Sequence, residues 1–161
     1  MPDPFEGTWS INLSDERSKA WDKASKAYVK DEIGSEVITL KTHDNVQHYE
    51  VVYGTSPKVR MGYASRYDDT QWVPYLVYSI DDGSTSTSAY GPTYTVGEPQ
   101  SYVRTIKVDE RTHYRIARSP QGRASGAMLR RLAEDGQSYK SIVLDVNGIV
   151  RVVRIFVRVA A

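Results

Sequence analysis

Two of the three histidines in this chain sit close enough to charged neighbours to move protons. In the stretch VQHYEVVY, His48 and Glu50 are two residues apart, so a strand puts both side chains on one face. Turned into a closed space, such a pair is a general base; turned outward, it is an ordinary solvated pair. His113 stands in KVDERTHYRIAR, residues 107–118. If that segment is one continuous strand, His113 shares a solvent face with Lys107, Asp109, Arg111 and Arg115. If the chain turns at Glu110, His113 could line a cavity with Arg115 and Arg104, an arginine then steadying developing negative charge. The candidates for acid–base chemistry are His48, Glu50, His113 and Arg104. His43 falls in the turn His43-Asp44-Asn45 and reads as solvent-exposed.

Aromatic residues supply a second set. The chain has 12 Tyr against 2 Phe and 3 Trp, and a tyrosine joins an apolar ring to a polar tip, which suits pocket walls and interfaces. In SRYDDTQWVPYLVYS, Tyr67, Trp72, Tyr75 and Tyr78 crowd the turn pair Asp68-Asp69. That cluster is either a rim for a flat ligand or plain turn chemistry. Alternation through 59–67 puts Val59, Met61, Tyr63, Ser65 and Tyr67 on one face, a mixed apolar and hydroxyl wall of the kind small-molecule sites use. The Ser-, Thr-, Gly- and Pro-rich residues 84–100 carry Tyr90 and Tyr94, and are either a lid over a barrel mouth or a linker. Ligand-binding candidates are Met61, Tyr63, Tyr67, Trp72, Tyr75, Tyr78 and Tyr90.

Composition removes other chemistries. With no cysteine there is no disulfide, no thiolate nucleophile and no Cys-ligated metal. The histidine spacing offers no His-x-His or His-x3-His pair, and no phosphate loop, dinucleotide fingerprint or nucleophile elbow is present. No metal and no cofactor are expected. A net charge of +1, from 21 basic and 20 acidic side chains, argues against a nucleic-acid or anionic-membrane partner. The longest apolar run, 149–161, is broken by Arg151, Arg154 and Arg158, and the opening MPDPFEG lacks a basic and an apolar region. A cytoplasmic protein is the expectation.

These residues must be held by strands. The 161 residues fit a single domain, 1–161. Residues 7–13 alternate, with Trp9 and Ile11 on one face. Residues 14–28 predict a surface helix, capped by Ser14, with Ala20, Trp21, Ala24, Ala27 and Tyr28 at helical spacing. Strand signals follow at 36–42, 46–53, 59–67, 71–80, 102–108, 112–118, 127–133, 138–145 and 149–159, with Asn147-Gly148 the strongest hairpin signal. MLRRLAEDGQ also reads as a short second helix. Pro74 demotes its strand to an edge or bulge. The expected fold is mainly β: an antiparallel up-and-down barrel of about nine strands with one short helix after the first, or else a two-sheet sandwich.

Gly7-Thr8-Trp9 with Asn12 at the first strand, the up-and-down strand series, and Arg154 or Arg158 in the last strand resemble the lipocalin or calycin group, in particular small bacterial barrels of that kind. The resemblance implies that Trp9 packs over the closed end of the barrel and that Arg154 or Arg158 stacks on it. The chain departs from secreted members of the group in having no disulfide, no Asp-Tyr turn between later strands, and a helix near its start.

The expected function is a barrel cavity binding a small, largely apolar molecule, aromatic or terpenoid-like. Its catalytic form is cofactor-independent isomerase, lyase or cyclase chemistry. The alternative is a non-catalytic ligand carrier or an oligomeric interaction protein, with the tyrosines at an interface and residues 150–159 an edge that pairs across a homodimer.

Overall fold

The computed structural model of the protein describes residues 2–88 and 93–160. Fourteen strands are present among them and no helix, hence none long and apolar enough to cross a membrane. Ten strands close into an antiparallel barrel: β1 (Gly7–Ile11), β4 (Glu36–His43), β5 (Val46–Tyr53), β6 (Val59–Arg66), β7 (Val73–Ile80), β10 (Pro99–Asp109), β11 (Thr112–Arg118), β12 (Ala124–Leu132), β13 (Ser138–Leu144) and β14 (Val150–Arg158). Each pairs with the next, and β1 returns to β14, so the sheet has no free edge around the ring. A closed ring, not a sandwich, is therefore the solution this meander takes.

Alternation decides what faces inward. In β6, Val59, Met61, Tyr63 and Ser65 are buried while Arg60, Ala64 and Arg66 are exposed. Gly62 breaks that alternation because a Cβ there would lie 2.4 Å from the Tyr49 carbonyl oxygen. Pro74 lies where β7 has left its ladder with β6, which ends at Gly62–Leu76. The gap beyond is bridged by β10: Thr105 Oγ1 donates to Ser65 Oγ, and the Lys107 amide to Asp68 Oδ1.

Residues 14–28 do not form the expected helix. They hold β2 (Lys19–Asp22) and β3 (Ala27–Val29), a hairpin whose β2 pairs with Val152 and Val153 of β14. The reason is local. The carboxylate or amide oxygens of Asn12, Asp15 and Asp22 accept the amide N–H two residues on, from Ser14, Arg17 and Ala24, and so compete with helical pairing. Lys26 adopts a positive φ of 52° at the hairpin turn, and Trp21 meets Tyr28 edge-on at 5.1 Å. MLRRLAEDGQ is likewise strand β12 and its following turn. Strand β14 is no edge either: β13 occupies one side, and β1 and β2 share the other.

One end of the barrel is sealed. Trp9 has no exposed surface and pairs in register with Arg158, whose guanidinium stacks on the indole at 4.2 Å. The same guanidinium donates to the carbonyls of Pro4, Glu6 and Gly136. Gly7 makes room for it, since a Cβ there would stand 2.6 Å from Arg158 Nη1. Phe5 plugs the floor against His113, with ring centroids 4.3 Å apart. Arg154, the other candidate for the stack, points to the opposite end.

Replacing Arg158 removes a stacked cation and leaves three carbonyls short of a donor. Arg158→Leu is expected to cost about 2–4 kcal/mol, read as a lower urea midpoint at unchanged slope.

Candidate functional site

Above the floor the barrel is hollow. A cavity of about 600 Å³ runs from the middle of the barrel to its other end, between the start of β4 and the end of β13. Met61, Val51, Val103 and Phe156 form apolar wall, and Tyr49, Tyr53, Tyr75 and Tyr94 form aromatic wall. Tyr94 arrives from a small hairpin, β8 (Ser86–Thr87) with β9 (Tyr94–Thr95), inside the long segment between β7 and β10. Its ring meets that of Tyr53 edge-on at 6.0 Å, so this segment does cover part of the mouth.

Ionic groups are arranged unequally along the axis. At the mouth, Arg154 Nε binds Asp31 Oδ2 at 2.6 Å, and Arg154 Nη1 stands 3.1 Å from Glu36 Oε2 without hydrogen-bond alignment. Burial pushes the Glu36 carboxyl upward from the usual carboxylate range, against the pull of Arg154 and with a further push from Asp31. Deeper in, Arg115 faces the cavity from β11. Its guanidinium carbon lies 5.3, 5.7 and 5.0 Å from the rings of Tyr49, Tyr63 and Tyr75. Burial opposes its charge, and the surrounding Tyr63, Tyr75 and Tyr49 favour it. Arg130, with no exposed surface, lies beneath, 4.9 Å from the Tyr49 ring.

His113 belongs to the floor. Arg130 Nη1 lies 3.1 Å from His113 Nε2; an arginine only donates, so Nε2 accepts and the ring proton sits on Nδ1, toward the Tyr67 oxygen at 3.5 Å. Tyr67 donates to Asp3 Oδ2 and accepts from Gln47 Nε2, and Gln47 Oε1 accepts from Tyr63. Burial first, then the positive charges of Arg130, Arg115 and Lys107, hold His113 well below its ordinary pKa. It is a neutral, packed ring locked on both nitrogens.

The predicted residues divide accordingly. The chain does turn at Glu110–Arg111, so β10 and β11 form a hairpin, and His113 and Arg115 point inward together. Arg104 does not join them: it lies over Trp72 at 5.6 Å and donates from Nε to the Asp69 carbonyl. His48 is exposed and Glu50 is ion-paired with Arg60 at 2.7 Å, so that pair lies on the outer face and not inside. The reason is register: alternation turns Gln47, Tyr49 and Val51 inward. Met61 and Tyr75 line the cavity, Tyr63 backs it, and Tyr67 lies under it. Trp72 sits on an outer groove with Arg118 at 4.6 Å, and Tyr78, 42% exposed, lies beside Arg60. Tyr90 falls outside the described residues. None of the three histidines lines the cavity, and no cluster of His, Asp and Glu able to hold a metal occurs among the described residues.

Tyr49, Glu36 and Arg130 are the site residues the sequence reading missed. Tyr49 was findable, because the charged His48 and Glu50 are its alternating neighbours and dictate which face is wet. Glu36 and Arg130 carried no such signal, since charged residues on a barrel strand ordinarily face solvent. No family model matches the chain, and no curated protein matches it.

The depressed His113 pKa makes stability depend on pH. Below the unfolded value of about 6.5 the unfolded chain binds the proton and the folded chain does not, so stability falls as pH drops. The raised Glu36 pKa works in the opposite sense, being most favourable at low pH. Comparing wild type with His113→Gln isolates the histidine. Between pH 6.5 and 5 the wild type is expected to lose up to about 1.4 kcal/mol per pH unit more than the variant, by urea unfolding at each pH.

Proposed function

We propose that this protein binds a small, largely apolar molecule with an aromatic body inside the barrel. The observation that carries the reading is the cavity itself. About 600 Å³ lies within the size range of small-molecule sites, and the walls combine aromatic and aliphatic surface with charged groups, Asp31, Glu36 and Arg154 at the mouth and Arg115 deeper in. A purely structural or interaction barrel fills its interior with side chains, and here the filling stops at the layer of Tyr63 and Arg130. The large exposed apolar side chains, such as Val29, Val108 and Val146, come from separate strands and turns. The edge proposed for a homodimer is occupied within the chain.

The Trp9–Arg158 stack at the sealed end supports a lipocalin- or calycin-like reading of the barrel. A cytoplasmic setting belongs to the same proposal, as a chain without cysteine needs no oxidising compartment to fold. An isomerase, lyase or cyclase form of the function rests on Glu36, the carboxyl in the cavity wall whose pKa burial raises, and no longer on a histidine.

Intrinsic fluorescence titrations against aromatic and terpenoid compounds test the reading. Ala117, on the cavity wall, is replaced by Phe to occupy part of the space. Ala117→Phe is expected to weaken binding of a micromolar ligand about tenfold or more, while His48→Ala leaves it unchanged. Absence of any ligand from the panel, or equal binding by Ala117→Phe, refutes it.

A further inference from the structure

Two cations in this barrel lack a carboxylate ion pair: Arg130 is fully buried, and Arg115 is half-buried against the cavity with its Nη1 out of solvent. Arg154 has Asp31 and Glu36; Arg115 and Arg130 have no carboxylate in ion-pair contact among the described residues, although both pull on the Glu36 carboxyl from a distance. Arg115 Nη1 and Arg130 Nε and Nη2 are buried without a hydrogen bond. Arg130 has one bond, from Nη1 to a neutral histidine. Both guanidiniums lie against one ring, Tyr49, at 5.3 and 4.9 Å, so they also repel each other. Tyrosine π-faces attract a cation, but by about 0.5–2 kcal/mol, less than an unpaired charge costs inside a protein. A fold gains nothing in stability from two such charges, and apolar residues in their place would serve it as well or better. The side from which Arg115 can still be neutralised is the cavity it faces.

The surrounding surface limits what can supply the negative charge. Tyr49 and Tyr63 stack at 4.8 Å and 15°, and Tyr75 stands edge-on to both at 5.9 and 5.4 Å. This makes a flat-sided aromatic corner directly beside the guanidinium. A single small ion leaves most of the 600 Å³ empty, whereas a flat ring with an acidic group fills both the corner and the apolar wall of Met61 and Phe156. We infer that the cavity takes a planar aromatic carboxylate, its carboxylate on the Arg115 fork and its ring among Tyr49, Tyr75 and Phe156. A guanidinium and a carboxylate match in a two-bond geometry that a lysine cannot reproduce. Arg130, one layer down, strengthens the positive field without touching the ligand. The inference rests on the small-molecule reading of the cavity and adds the charge of the occupant.

The test is a matched pair of probes, 2-naphthoate and its neutral isostere 2-naphthamide, titrated by calorimetry into the wild type, Arg115→Met and Arg115→Lys in chloride-free buffer. The wild type is expected to prefer the acid by about tenfold or more. Arg115→Met is expected to bind both probes alike and to melt no lower than wild type, since it removes an unpaired buried charge. Arg115→Lys, which keeps the charge, should retain part of the preference and stands in if the methionine variant does not fold. Equal binding of acid and amide by the wild type, or a preference that survives in Arg115→Met, overturns this inference and leaves the cavity reading intact. Binding of neither probe overturns the inference, and failure of the whole aromatic panel then removes the cavity reading as well.

Discussion

The guanidinium of Arg158 ties the two ends of the chain together, and the barrel's polarity follows from it. It stacks on Trp9 of the first strand from the last strand, and takes carbonyls from the N-terminal segment and the β12–β13 turn. An arginine can do this because its five donors diverge in one plane while its face stays free for an aromatic ring. With that end filled by Trp9, Phe5 and Tyr139, close packing is satisfied there. The opposite end has no comparable knot. It is spanned by loops, an ion-paired arginine and a two-residue-per-strand hairpin, and there the interior stays open.

The interior therefore changes character along its axis. The floor is apolar and aromatic. Within it runs a hydrogen-bonded network of Tyr63, Gln47, Tyr67 and His113, in which each side chain has a partner. Such a network is favourable only when it is completely satisfied, and burial within it, with Arg130 alongside, keeps His113 neutral. Next come the two arginines that make no carboxylate ion pair among the described residues. The mouth has both signs of charge. A molecule entering passes a mixed ionic rim, then apolar wall, then a positive centre in low-dielectric surroundings where charge interactions are strongest.

Much of this was legible in residue order and some was not. Alternation in 59–67 identified the inward wall of Met61 and Tyr63, while the sealed end at Trp9 came only as an implication of the resemblance carried by Gly7-Thr8-Trp9. The same logic failed for residues 14–28, where alanine spacing suggested a helix but Asn12, Asp15 and Asp22 captured the local amides first. Trp72 and Tyr78 look like Tyr75 on the page, yet face outward because of their parity on β7 and the turn before it.

What the order of residues determined by itself is everything governed by the near neighbours of a strand. Period-two alternation, turn residues and the absence of cysteine depend on no distant partner, so the antiparallel β class, most turns and the inward wall of 59–67 could be read directly, while the choice of barrel over sandwich waited for closure of the ring. What only the tertiary structure decided is which charges lost their water. Arg104 and Arg115 occur in similar strand sequences, and Glu36 and Glu50 are both strand glutamates. Closure of the ring put Arg115 and Glu36 on the inside and left Glu50 with Arg60 outside. Desolvation is a property of the closed ring and not of any segment. The unpaired cations, the raised carboxyl and the silenced histidine therefore come into existence only when β1 meets β14.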